Sequence, residues 1–224
     1  MNANRILSEL LGGQRGAGLA GGLAGGLASG LLVSKAGRKL GKQALELGGL
    51  AVIAGLGYTA WRRYQEGRTG ATALPVNRAH AAGDVPAGFL PPPSRPEALD
   101  ALGQVLLQAM IAAARADGQL DETERRALFE HVTRLGLPEA ERAELFAALE
   151  RPVEIPTLVA AATTQERAVE IYTASLLTIE VDTAAERGYL AMLAAALGLP
   201  DALVTQIHRE AGVSAPSHEV KAVA

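Results

Sequence analysis

The sequence predicts an all-α protein: a glycine-rich N-terminal membrane helix or helical hairpin, a proline-rich linker and a C-terminal bundle of about seven helices. Three observations predict it. Apolar residues after Pro96 recur at spacings of three and four, with no stretch that alternates convincingly enough for a strand. Capping signals, a Thr or Asp followed three residues later by Glu, open two of those segments. Residues 18–33 read GLAG GLAG GLAS GLLV, a period-four array that a helix turns into rows.

Composition sets the domain limits. Of 25 glycines, 17 lie in residues 1–70, and six of the 11 prolines lie between Pro75 and Pro96. That punctuation gives an anchoring segment over 1–64, a linker over 65–96, an acidic domain over 97–212 and a tail over 213–224. Charge divides at the same place. There are 11 basic and 4 acidic residues before Pro96 and 10 basic and 20 acidic after it, so the formal net charge of −3 is the sum of +7 and −10. The acidic part is long enough for one hydrophobic core.

The absence of cysteine excludes disulfides, thiolate nucleophiles and cysteine-ligated zinc or iron–sulfur sites. The four histidines, His80, His131, His208 and His218, show no HxxxH or HxH spacing, which argues against a His-rich metal centre. His131 and His208 are expected at helix ends or on the surface. A pI of 5.9 argues against general nucleic-acid binding.

The array places Gly18, Gly22, Gly26 and Gly30 in one row, the leucines at 19, 23, 27 and 31 in a second, and Gly21, Gly25 and Ser29 in a third. Glycine at this density costs about 1 kcal/mol per position against Ala in a water-exposed helix. Packing in lipid reverses the balance, because rows of small residues let helix backbones approach closely. A flexible linker would be polar rather than Leu- and Ala-rich, and the apolar stretch further on disfavours a signal peptide. The uncharged stretch Gly16–Val33 has 18 residues, about 27 Å as a helix against a ~30 Å hydrocarbon core.

Ala44–Trp61, with the single charge Glu46, is the better span on sequence, since Tyr58, Trp61, Tyr64, Arg62 and Arg63 form an interfacial belt at its end. If it alone spans, six Lys/Arg precede it and three follow. If both stretches span, the loop with Lys35, Arg38, Lys39 and Lys42 is cytoplasmic. Either way the C-terminal domain is expected outside the cytoplasm. Residues 65–96 read as a semi-extended tether, locally polyproline II at Pro91–Pro93.

In the acidic domain the first helix is Glu97–Ala116, with Leu99, Leu102, Leu106, Met110 and Ala113 on its apolar face, and Asp117-Gly118 ends it. Asp121 and Glu124 cap a second, which buries Leu128, Val132 and Leu135. Pro138–Leu149 and Pro156–Ala162 are short helices. Thr163 or Thr164 opens the next, which runs to about Glu180 with Ala168, Ile171, Tyr172, Ser175, Leu176 and Ile179 inward. Thr183 and Glu186 cap a helix carrying Tyr189, Leu190, Leu193 and Leu197, and Pro200–Ala211 is the last.

Glu124-Arg125, Leu128 and Leu135-Gly136-Leu137-Pro138 recur 62 residues on as Glu186-Arg187, Leu190 and Leu197-Gly198-Leu199-Pro200. An acidic turn precedes the helix in each copy, ARADGQLDETER in the first and IEVDTAAER in the second. This pattern resembles the tellurite-resistance TerB-like helical domain, found also in membrane-bound DjlA co-chaperones. With its glycine-rich N-terminus, the whole chain resembles the uncharacterised YebE-like bacterial inner-membrane proteins.

The resemblance implies an acidic site for a divalent cation, calcium or magnesium rather than zinc, carried onto Asp117, Asp121, Glu124, Asp182 and Glu186. Helix capping explains Asp121, Glu124 and Glu186 equally well. No GxSxG, Walker A or HExxH motif is present, and nothing pairs a nucleophile with a base. The expectation is a non-enzymatic inner-membrane module whose acidic, periplasmic domain binds a partner protein or a cation. The alternative is an oligomeric assembly built on the glycine rows, with the C-terminal domain as a cap.

Overall fold

The computed structural model describes residues 7, 49–69, 85–116, 139–151, 153–179, 181 and 183–213. Over these residues the protein is all-α. Its helices are α1 (Gly49–Thr69), α2 (Pro96–Ala114), α3 (Glu139–Glu150), α4 (Ile155–Ala161), α5 (Gln165–Thr178), α6 (Ala184–Ala196) and α7 (Asp201–Ala211).

Local chemistry sets the ends. Proline stands in the first turn of α2 and of α4, where its missing N–H costs nothing. Thr164 Oγ1 accepts from Arg167 N at 3.2 Å to start α5. Thr183 and Glu186 form a complete capping box at α6. Gly198 and Gly212 end α6 and α7 with φ of 65° and 70°, a conformation that glycine adopts without Cβ strain.

At the centre lies α5, every residue of which from Ala168 to Thr178 is buried. Its most extensive partner is α2, buried along Leu102, Leu106, Ala109, Met110 and Ala113. α6 and α7 close other sides with Leu190, Leu193, Leu203 and Ile207. The helix boundaries after Pro96 and all six inward residues expected in α5 agree with the sequence reading. The expected helix at Asp121–Leu135 lies outside the described residues.

The packing departs from that reading before Pro96. Residues 49–61, most of the stretch read as the better span, begin α1, which lies against α7 and α5. Leu50, Val52, Ile53, Ala54 and Ala60 belong to the same buried cluster as the residues of α2, α5, α6 and α7, and so does Leu7. The core therefore does not respect a boundary between 64 and 97. Two features let α1 dock: at Gly57 a side chain would stand 3.1 Å from Val169 Cγ1 on α5, and Arg63 Nη1 donates to Glu210 Oε1 on α7.

The proline-rich tether is likewise packed where it is described. Phe89 N and Leu90 N both donate to Pro86 O, at 2.9 and 3.0 Å, folding a turn that buries Val85, Phe89 and Pro91. The Phe89 ring sits 5.6 Å from that of Tyr58. Proline and glycine forbid a regular element here but leave apolar side chains free to dock.

Among the described residues one helix, α2, is long and apolar enough to cross a membrane, and 56% of its apolar window is buried inside the protein, as a core helix would be. The array Gly16–Val33, with Gly18, Gly22, Gly26 and Gly30, lies outside the described residues.

Two glycines of α1 separate protein packing from helix propensity. Gly57→Val crowds Val169, Phe89 and Thr173 and is expected to cost about 1–3 kcal/mol. Gly55→Ala meets nothing within 4 Å and is expected to stabilise by up to ~1 kcal/mol. Thermal unfolding of both variants checks the pair.

Candidate functional site

A helix buried on every side can carry polar residues only if they find partners inside. α5 carries Glu170, Tyr172, Thr173, Ser175 and Thr178, all buried. Thr173 Oγ1 and Thr178 Oγ1 donate to the carbonyls of Val169 and Ala174 one turn back, at 2.7 and 2.8 Å. Ser175 Oγ donates to Ala109 O of α2 at 3.3 Å and lies 3.5 Å from the Tyr189 hydroxyl of α6. The threonines thus satisfy their hydroxyls within α5, while Ser175 ties the central helix to α2 and α6.

Two other polar features are chemically distinctive. Tyr172 Oη and His208 Nε2 lie 2.9 Å apart, both sealed from solvent. Burial raises the Tyr172 pKa, so its phenol keeps its proton and can donate to the ring nitrogen. The pair links α5 to the last turn of α7.

Glu170 is fully buried. Arg167 Nη1 donates to its Oε2 at 2.8 Å, while Oε1 has no hydrogen-bond partner. Burial pushes the carboxyl up to about 8; the Arg167 charge opposes the shift and the Glu166 charge adds to it. The turn at Gly88 lies over Glu166, whose Cγ would be 3.6 Å from a side chain placed there. The arrangement can hold and exchange a proton at Glu170.

Of the acidic residues expected at a cation site, Glu186 is described. Its Oε2 accepts from Thr183 N at 3.0 Å and Thr183 Oγ1 at 2.9 Å, and Thr183 Oγ1 accepts from Glu186 N at 3.1 Å, so the carboxylate is engaged in capping α6. Asp117, Asp121, Glu124 and Asp182 lie outside the described residues. Among the described residues no group of three or more Asp, Glu or His side chains could hold a metal ion.

Sequence reasoning missed Glu170; His208 lies at a helix end, as one of the two expectations had it, but is buried rather than on the surface. His208 carried a legible signal, since Val204, His208 and Ala211 follow at four and three and all are buried. Glu170 carried a weaker one: its face of α5 also bears Val169, Thr173 and Leu177.

The Glu170 carboxyl makes stability depend on pH with a definite sign. Unfolded, it titrates near 4.5; folded, near 8. Between these values the native state holds the proton more tightly, so stability is greatest at the acid end of the window and falls as pH rises through it. The unfolding temperature is therefore expected to drop between pH 5 and pH 8, and Glu170→Gln is expected to flatten that drop. Thermal melts across this range measure both. An equal slope in the variant contradicts the assignment.

A protein of Yersinia enterocolitica, described as an uncharacterized protein in the ampR 5′ region, is 30% identical over 102 residues, which cover 46% of this chain and 73% of that relative. No solved structure matches. The profile of the DUF533 family, a protein family of unknown function, matches residues 17–211, from the glycine array through α7, and the chain belongs to that family.

Proposed function

We propose that the protein is a non-enzymatic helical module held on the bacterial inner membrane by the Gly16–Val33 array, its acidic, TerB-like bundle presenting a binding surface to a protein partner. The observation that carries this reading is the docking of α1. The apolar residues of Leu50–Ala60 are taken up by the protein core, which leaves Gly16–Val33 as the uncharged apolar stretch available to lipid. The family match also runs across both array and bundle.

Docking of α1 changes the side of the membrane that the charges favour. The periplasmic expectation required Ala44–Trp61 to span. With the array as the membrane-seeking part, Lys35, Arg38, Lys39 and Lys42 lie between it and the bundle. Positive charge at that junction favours a cytoplasmic bundle. The commitment of Glu186 to its cap favours a protein with basic residues, rather than a cation, as what the acidic surface of the bundle meets. The glycine rows also suit packing against a second copy.

Replacing Leu19, Leu23, Leu27 and Leu31 by Ser removes the apolar row. The full chain is expected in the carbonate-washed membrane fraction, and the variant in the soluble fraction with its unfolding temperature unchanged. Identical fractionation of the two proteins contradicts the reading.

A further inference from the structure

Docking buries the first half of α1 and leaves the aromatic and cationic residues of its second half at the surface. Gln65 and Arg68 are exposed, and Tyr58, Trp61, Arg62 and Tyr64 are half-buried. At about 100° per residue, Trp61, Gln65 and Arg68 share one side of the helix with Tyr58 and Arg62 beside them. That side points away from the buried Thr59 and Ala60 and from Arg63, which donates to Glu210 on α7. The groups on it are already organised. The Trp61 and Tyr64 rings lie 6.1 Å apart, Arg68 sits 5.6 Å over the Tyr64 ring and donates to its hydroxyl at 3.0 Å, and Arg62 sits 6.0 Å over Tyr58. A guanidinium stacked on a ring keeps N–H groups at its edge for phosphate. Rings with a polar edge are the side chains that settle at headgroup depth. Arg62 also lies 3.4 Å from Glu66, a surface pair too weak to hold it against a competing anion.

Charge selects the same face. From Tyr58 to Arg68 there are three arginines and one glutamate, whereas 10 basic and 20 acidic residues follow Pro96. An anionic surface repels the acidic part of the molecule and attracts this end of α1. We propose that this face of α1 rests on the headgroup layer of an anionic membrane, with Trp61 and Tyr64 entering the interface and Arg62 and Arg68 binding lipid phosphate. The proposal rests on the membrane-bound reading above and names the part of the bundle that lies against the lipid.

Trp61 is the single tryptophan of the chain, so its emission reports its own depth. The full-length protein is bound to vesicles of phosphatidylethanolamine and phosphatidylglycerol, with and without lipid brominated at the upper acyl carbons, and flotation measures membrane binding separately. Trp61 is expected to be quenched by the brominated lipid. The double variant Arg62→Gln, Arg68→Gln is expected to float as before, to keep its unfolding temperature and to lose about half of the quenching or more, each arginine being worth roughly fivefold in attraction to an anionic surface. Gln65→Cys carrying a bimane, clean in a chain without cysteine, repeats the depth reading should the double variant misfold. Flotation without quenching at position 61 or 65, or quenching that the arginine substitutions leave unchanged, overturns the docked face and leaves membrane binding standing. Failure of the full chain to float overturns the membrane reading and this surface together.

Discussion

The constraint on which the structure depends is that α5 has no face left for solvent. A helix in that position must be covered all round, and a carboxyl, a phenol and several hydroxyls along it must be answered from within. The threonines answer their own backbone, Ser175 reaches α2, and Tyr172 reaches His208 on α7. An unanswered buried polar group costs about 1–3 kcal/mol, so the bonds of Ser175 and Tyr172 restrict which helices can surround α5 and in what register. Glu170 is the exception, with one oxygen bonded to Arg167 and the other without a partner. Its raised pKa is how the fold tolerates that: a protonated carboxyl is cheaper to bury than a charge.

Covering α5 also decides the fate of α1. An apolar run near 20 residues reads alike whether its partner is lipid or protein, since both remove the same surface from water. What distinguishes the cases is a matching face. Gly57 lets α1 approach Val169 closely, Phe89 closes over the junction from the turn at 86–90, and the Arg63–Glu210 pair joins the basic and acidic parts of the chain. The opposite charges of the two regions thus meet inside one body rather than across a linker.

This history explains what was legible in the sequence. After Pro96 each helix carries its own signals: a proline in the first turn, Thr164 or Thr183 at the cap, glycine past the end, and apolar residues on a helical period. These are local, and the structure follows them. Docking of α1 depends on Val169 and Glu210, more than 100 residues away along the chain, and docking of the turn around Phe89 on Tyr58 and Glu166, tens of residues away in opposite directions, which periodicity cannot reveal. Of the stretch read as a tether, residues 65–69 continue α1, and residues 85–95 are irregular in backbone yet packed, because regularity and packing are separate properties. Glu170 was invisible for a related reason: a charged residue on a helix is assigned to solvent unless the opposite face is known to be covered as well. At the acidic turns, the capping reading of Glu186 is the one realised in the geometry; Asp117, Asp121, Glu124 and Asp182 lie outside the described residues.

The central claim is that α1 is an integral wall of the bundle. Native-state hydrogen exchange tests it most directly, by comparing the opening free energy of amides in Val52–Ala60 with that of amides in Ala168–Thr178. If α1 covers α5, the two sets exchange through the same global unfolding event and lose protection together as denaturant is added. Early exchange of Val52–Ala60, with Ala168–Thr178 still protected, would show that α5 keeps its core without α1, and would contradict the account.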